Sequence, residues 1–414
     1  MENAKIKLKF NNFVNIISVS FVLMTIFNFN GYEIFFSVYI GSILVFLVLF
    51  NYKKVLNSVG SLIEHNKLIF AAYTIGVLST LIAFLRSTIE FKSFLAVIVY
   101  GLCNLFGIVV YFVFSKDYIT RGMKQILIVL VINGILGILE YITHKNLCVT
   151  LGLFSDIYIR NISRIAGMFV HPIINGMMNL CGIIIALFTL QSKIKYLIIT
   201  LFGVNILLTQ SRSSWVALLF IIILMFFRRV LKDKLNTNRL IGFIGILFVL
   251  IVVFIFFPDI PNLFISIVTQ RFSDFSWYFT SSYQRTGAFL YVIERVFSGN
   301  ILEMFFGHGN SSSKYIMMQV SIMIKNFDTT DNGYVRDLYN YGVFYVAVIF
   351  ITMVRIIKSI FSDNDKLSLM FKILVITLEI TFFFLEPFGH YPVTYLFFIS
   401  FGFVCAYFSR KKRQ

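Results

Sequence analysis

The sequence is short of charge, of proline and of usable cysteine pairs, and each shortage excludes something. Only 13% of its 414 residues are Asp, Glu, Lys or Arg, against about 25% in a soluble domain, so an ordinary water-facing surface is excluded. Prolines number 5 and cysteines 4. Cys103, Cys181 and Cys405 fall inside apolar runs and Cys148 in a connecting loop. No disulfide framework fits that placement, and the spacing rules out a zinc motif. Walker, dinucleotide-binding and HExxH signatures are all missing, and no internal repeat is visible. Lack of repeat symmetry weighs against a transporter built from inverted halves.

What is present is apolar. Hydrophobic residues make up 58% of the chain, and 50 of them are Phe. They are organised in runs of membrane-spanning length, which predicts an all-α polytopic integral membrane protein. Hydropathy places about twelve transmembrane helices, at roughly 13–29, 33–50, 67–85, 93–114, 123–142, 172–190, 195–210, 214–227, 240–257, 337–354, 368–386 and 392–408. Lys5, Lys7 and Lys9 before an apolar stretch resemble the start of a signal peptide. No small-x-small cleavage site follows, so that stretch is expected to be the first span.

A formal net charge of +17 could point to nucleic acid, but the placement of the charge decides otherwise. With the N-terminus inside, about two thirds of the 36 Lys and Arg fall in short inner segments such as "RRVLKDKLNTNR" and the tail "RKKRQ". The positive-inside rule therefore predicts that both termini are cytoplasmic, and no nucleic-acid partner is expected. Three regions follow: 1–257 with nine spans, 258–336 as one large extracytoplasmic loop with short helices, and 337–414 with three spans and a basic tail. Within the loop, "SSYQRTGAFLYVIERVF" is amphipathic, with Tyr283, Phe289 and Phe297 among charges.

Even-numbered spans enter from outside in this topology, so the positive ends of their helix dipoles and their free N–H groups point outward. Polar residues gather at those ends. "RIAGMFVHPIINGMM" precedes span six, with Pro172 suited to a first turn. If the helix extends backward, Arg164, His171 and Asn175 share a face. "TQSRSSW" opens span eight, with Ser211 as N-cap and Arg212 in the first turn, a combination suited to phosphate oxygens. "NFDTTDNGYVRDLYNYG" opens span ten; Asn332, Arg336 and Asn340 line one face, and Asp331 suits an N-cap. Glu379 lies inside span eleven, where a carboxylate should be protonated or paired, plausibly with an arginine of the site. In "FFGHGNSSS", Gly307 and Gly309 permit a tight turn around His308. Each of these also has a plainer reading: a snorkelling arginine, a capping histidine, a solvated loop.

These stretches occur in the order seen in the O-antigen ligase and Wzy-type polysaccharide polymerase superfamily, which the chain resembles over roughly residues 160–350 in its motifs. The resemblance implies a bacterial membrane glycosyltransferase of the cytoplasmic membrane, loosely GT-C-like, acting on its outer face without nucleotide sugar, metal or other cofactor. It implies an undecaprenyl-diphosphate-linked oligosaccharide as donor, with membrane lipids around it and a flippase and chain-length regulator in the same pathway. By correspondence, Arg212 and Arg285 hold the diphosphate, together with Arg164 and Arg336. His171, Ser211, Asn175 and Tyr334 are expected to line the donor and glycan site, with Trp277 stacking on sugars. Asp331, His308 and Asn332 are the candidate catalytic residues. The ligase branch carries a histidine beside the Asn-rich motif that reads "TTDNGY" here, without one. That departure favours a polymerase joining repeat units of O-antigen, capsule or exopolysaccharide, with inversion at C1. A ligase moving glycan to lipid A, and a lipid-linked oligosaccharide flippase, are the competing expectations.

Overall fold

A computed structural model describes residues 15–27, 33–151, 164–169, 171–232, 280–320, 329–386 and 390–411. Among these every regular element is a helix. The first group runs α1 (Ile16–Phe27), α2 (Glu33–Phe50), α3 (Tyr52–His65), α4 (Lys67–Leu85), α5 (Phe91–Val113), α6 (Lys116–Thr143) and the short α7 (Leu147–Thr150). Next come α8 (Pro172–Thr189), α9 (Ile194–Leu208) and α10 (Arg212–Lys232). The later region holds α11 (Thr280–Ser298), α12 (Ile301–Phe306), α13 (Ser312–Gln319), α14 (Gly333–Ser362), α15 (Lys366–Thr381) and α16 (Tyr391–Lys411).

Among the described residues, seven helices are long and apolar enough to cross a membrane: α4, α5, α6, α8, α10, α14 and α16. Three shorter apolar helices run Ile16–Thr25, Ser37–Phe50 and Ile194–Leu208. The described residues are thus all-helical, with the repeated apolar helices of a multi-pass membrane protein. Of the other expected spans, 240–257 lies outside the described residues. The segment 368–386 becomes α15, which has 16 residues and carries Lys372 and Glu379. A helix with two ionisable groups survives in the bundle because it is buried and both groups find partners there.

Burial sorts the helices. The apolar window of α16 is 94% buried and that of α8 78%, whereas α4 and α10 are at 28% and α14 at 22%. A helix apolar on all sides belongs in the middle. α16 packs on α5, α15 and α1, and α8 on α6, α9 and α15. The peripheral helices keep one apolar face outward, as a lipid-facing helix does.

Two features depart from a plain bundle. α14 is interrupted at Gly342, whose φ of 82° and ψ of 175° are not helical. A Cβ there would sit 2.2 Å from the Phe305 carbonyl oxygen, and one on Gly307 would sit 2.3 Å from that of Asn340. The backbone after α12 is pressed into the break, so α14 is a polar half-helix over 333–341 followed by an apolar one. The second feature lies at the other end of α14. Asp363 joins α14 to α15 and accepts from Lys372 Nζ at 2.5 Å, Ser368 Oγ at 2.8 Å and Tyr407 OH at 2.8 Å. Arg228 of α10 donates to the Asp363 carbonyl at 2.8 Å. Burial would raise the Asp363 carboxyl, but these donors hold it down at about 2.

Candidate functional site

Residues 164–169 form a strap rather than a backward extension of α8. Gly167 has φ of +56° and begins a 3-10 turn, Gly167–Phe169, so Arg164 does not continue the helical face of His171 and Asn175. Four side chains hold the strap. Glu140 of α6 accepts from the N–H of Ala166 at 3.1 Å and of Gly167 at 2.7 Å. Asn133 accepts from Met168 N at 2.8 Å and donates to Asn175 Oδ1 at 2.8 Å. Asn146 donates to the Gly167 carbonyl at 3.1 Å. Arg164 Nε donates to Thr209 O at 3.0 Å, which fixes the strap to the end of α9. A Cβ on Gly167 would meet Asn133 Oδ1 at 2.4 Å. Gly167→Ala should therefore cost at least about 1–2 kcal/mol from its left-handed backbone alone, read as a lower Tm in detergent than wild type.

His171 caps α8 through Nδ1, which accepts from Ile173 N at 3.3 Å. Its ring lies 6.2 Å from that of His390, at the start of α16. Burial lowers His171 to about 4, helped by Arg164, and lowers His390 to about 3, helped by His171. Both rings are neutral near pH 7. Because the folded values lie below the ordinary one, the unfolded chain binds the extra protons. Stability should then be flat above about pH 7 and fall as pH drops through 6.5 towards 4. Thermal unfolding against pH checks this, and His171→Asn, which can still cap, should shrink the acid-side fall.

At α10, Ser211 is the cap expected: its Oγ accepts from Ser214 N at 3.4 Å. The hydroxyls of Ser211, Ser213 and Ser214 bond to one another and are buried against α8, where a Cβ on Gly176 would meet Ser214 Oγ at 2.3 Å. They close a helix crossing rather than facing a ligand. That crossing sets the N-terminus of α10, with Arg212, beside the N-terminus of α8.

At α14 the cap is Asn332, which accepts from Tyr334 N at 3.0 Å and Val335 N at 3.1 Å. Asp331, expected as the cap, stands one residue earlier with φ of +52°. Its position frees the carboxylate to pair with Arg285 Nε of α11 at 2.8 Å. Thr330 donates to Glu386 Oε1 through its N–H at 2.6 Å and through its hydroxyl. Burial holds the Glu386 carboxyl above its ordinary value, offset only in part by Arg336 and Thr330. Arg336 pairs with Asp337 at 2.6 Å, both buried. Tyr334 points inward, its hydroxyl donating to Glu379 Oε2 at 2.8 Å, so the partner of Glu379 is a tyrosine rather than the arginine expected. Gly333 N donates to Phe382 O at 2.6 Å, tying the start of α14 to the end of α15.

One end of the bundle thus collects the N-termini of α8, α10, α14 and α16 with Arg164, His171, Arg212, Arg285, Asp331, Arg336, Glu386 and His390. Helix N-termini and guanidinium groups gathered in one place have the chemistry that suits an anion. Residues 196–351 match the family model Wzy_C, described as O-antigen ligase. The match supports the O-antigen ligase and polymerase superfamily. No curated protein matches the chain.

Members of that superfamily are membrane glycosyltransferase-like enzymes, and the segment matched here contains α10, most of α9 and the first part of α14, with Arg212, Arg285 and Arg336. Arg164, His171 and Asn175 lie before it. His308 stands apart from Asp331. Its Nδ1 lies 3.2 Å from Tyr339 O, its Nε2 3.5 Å from Glu303, and its ring stacks on Tyr339 with centroids 4.1 Å apart. Tyr339 follows Asp331 by eight positions in the chain, which sets His308 away from that carboxylate. Trp277 lies outside the described residues. α11 confirms an amphipathic helix in the late loop, yet Phe289 and Phe297 are 42% and 61% exposed while Ala288, Val292 and Val296 form its buried face. The crossing with α14 takes the smaller residues of α11.

Sequence reading missed Asn133, Glu140 and Glu386. Glu140 and Asn133 stand in an apolar helix, one carboxylate and one amide seven residues apart, on the face turned to the strap. That spacing was the available signal.

Proposed function

We propose that the chain is a polymerase of lipid-linked oligosaccharides, extending a polysaccharide on the outer face of the bacterial cytoplasmic membrane. The gathering of four helix N-termini and four arginines at one end of the bundle carries this reading, because a polyprenyl diphosphate leaving group needs such a surface at the membrane boundary. The donor's diphosphate binds Arg212, Arg285 and Arg164. In the substrate-free pair, Arg285 is neutralised by Asp331; a diphosphate competing for that guanidinium releases the carboxylate beside the reacting centre.

The reaction is a displacement at the anomeric carbon. An acceptor hydroxyl on a second lipid-linked repeat unit forms a bond to C1, the C1–O bond to the diphosphate breaks, and configuration inverts. Asp331 takes the hydroxyl proton, and undecaprenyl diphosphate departs with the bonding electron pair. Arg336 is held back by Asp337 and shapes the site through Glu386. Juxtaposing two bound glycolipids supplies much of the acceleration.

The description of the matched family as O-antigen ligase favours a second reading, transfer of finished glycan to lipid A or another acceptor. Deletion of the gene, with surface glycan resolved by length, separates them. A single capped repeat with no ladder supports polymerase. Loss of all surface glycan with lipid-linked polymer retained means ligase, and accumulation of repeat units on the cytoplasmic side means flippase.

A further inference from the structure

A second groove, of about 840 Å³, lies between α4 and the α12–α13 segment, away from the cluster of helix ends. Its size is that of a binding cleft rather than a packing fault. One wall is a stripe along α4. Leu78, Ile82 and Arg86 follow at intervals of four residues, so they stack on one face. Leu78 and Ile82 are 51% and 49% exposed on a helix long and apolar enough to span a membrane. The stripe therefore opens sideways to lipid and ends in a cation. Arg86 has no carboxylate within salt-bridge distance among the described residues. Glu303, His308 and Tyr339 line the same groove, a polar group able both to donate to and accept from hydroxyls.

The turn that carries His308 into the groove is fixed from behind. Asn310 N donates to Thr80 Oγ1 at 3.0 Å, Asn310 Nδ2 to Ser93 O at 2.8 Å, and Tyr341 OH to Asn310 Oδ1 at 2.9 Å. These bonds pin the turn carrying His308 to α4, α5 and α14 at once. Tyr339 lies six residues into α14 from Gly333, a rise of about 9 Å, with Asp331 just ahead of the helix, which is within the reach of a short oligosaccharide.

We propose that this groove binds the acceptor substrate, a second polyprenyl-linked glycan: its isoprenoid chain along Leu78 and Ile82, its anionic phosphate at Arg86, and its first sugar at Glu303, His308 and Tyr339. Charge complementarity selects this occupant. An apolar chain ending in an anion fits the stripe, and the hydroxyl-binding end beyond Arg86 fits a sugar and nothing in an ordinary phospholipid tail. The inference rests on the polymerase reading, since a ligase or flippase needs no second polyprenyl site. His308 becomes an acceptor-positioning residue in this arrangement.

The test uses the full chain in lipid nanodiscs with a benzophenone-bearing farnesyl diphosphate as probe. Labelling of α4 and α12 peptides is expected, reduced at least about 10-fold by Arg86→Glu and retained in Arg212→Ala. Labelling unaffected by Arg86→Glu, or abolished by excess anionic phospholipid, overturns the proposal. In cells, Arg86→Glu and Ile82→Trp should each cut polymer at least about 10-fold at wild-type protein level. Arg86 is exposed, so its variant carries the test where Ile82→Trp fails to accumulate. If groove variants make normal polymer while Arg212→Ala makes none, the acceptor site is wrong and the polymerase reading stands. If Arg212→Ala also makes normal polymer, the polymerase reading itself falls.

Discussion

Arg212→Ala should abolish surface polymer while leaving single-repeat product and normal amounts of protein. The guanidinium sits in the first turn of α10, where it adds to the positive end of the helix dipole. Removing a preorganised group that stabilises developing charge costs about 100- to 1,000-fold in turnover, enough to empty a glycan ladder. Folding should be spared. The Ser211 cap and the hydroxyl cluster of Ser211, Ser213 and Ser214 do not involve the Arg212 side chain. Arg212→Lys keeps a charge but loses the planar fork that grips two phosphate oxygens, so partial polymer of reduced amount is expected. Electrophoresis of surface glycan beside an immunoblot reads both outcomes, and a full ladder from Arg212→Ala would remove the basis for the diphosphate clamp.

The largest effect on stability should come from the opposite end. Asp363→Ala strips the carboxylate from Lys372, whose side chain is fully buried. Breaking a buried pair from one side costs about 3–5 kcal/mol, and here Ser368 and Tyr407 lose their acceptor as well. A strongly lowered Tm or loss of the protein from membranes is expected. Asp363→Asn combined with Lys372→Met removes both charges and should recover much of the loss, because the penalty lies in the stranded ammonium rather than in the missing bond. Additive damage in the double variant would show that the pair is not coupled. Since the node also ties down α10 through Arg228, the variants that fold provide a control: they should leave the products of polymerisation unchanged in length.

Much of this architecture could be read before any coordinates. Apolar runs of spanning length gave α4, α5, α8 and α16 with edges near those expected, and α6 with a start seven residues late, because in a bilayer the backbone can satisfy itself only as helix. The arginines were also legible, since charge at the edge of an apolar run is conspicuous. Local geometry was not. Whether Arg164 continued a helix depended on Gly167 taking a left-handed conformation, and that is imposed by Asn133 and Glu140 from a helix more than twenty residues away. The same holds for Tyr334 and Glu379. Each is visible as an oddity in its own segment, but their pairing depends on how α14 and α15 cross. Asp331 was the cap expected on paper, and the hydrogen bonds from Tyr334 N and Val335 N to Asn332 move the cap one residue on.

The interlock of Gly307 and Gly342 has a consequence for how such a chain can vary. Each glycine makes room for the other strand's carbonyl, so a side chain at either position displaces both segments together. In a saturation library the two positions should behave as one character: single replacements vanish under selection, and no second-site change at the partner restores them. Diversity for new sugars would then accumulate on the free rims of the late loop, with this paired notch as the fixed hinge-pin of the lineage.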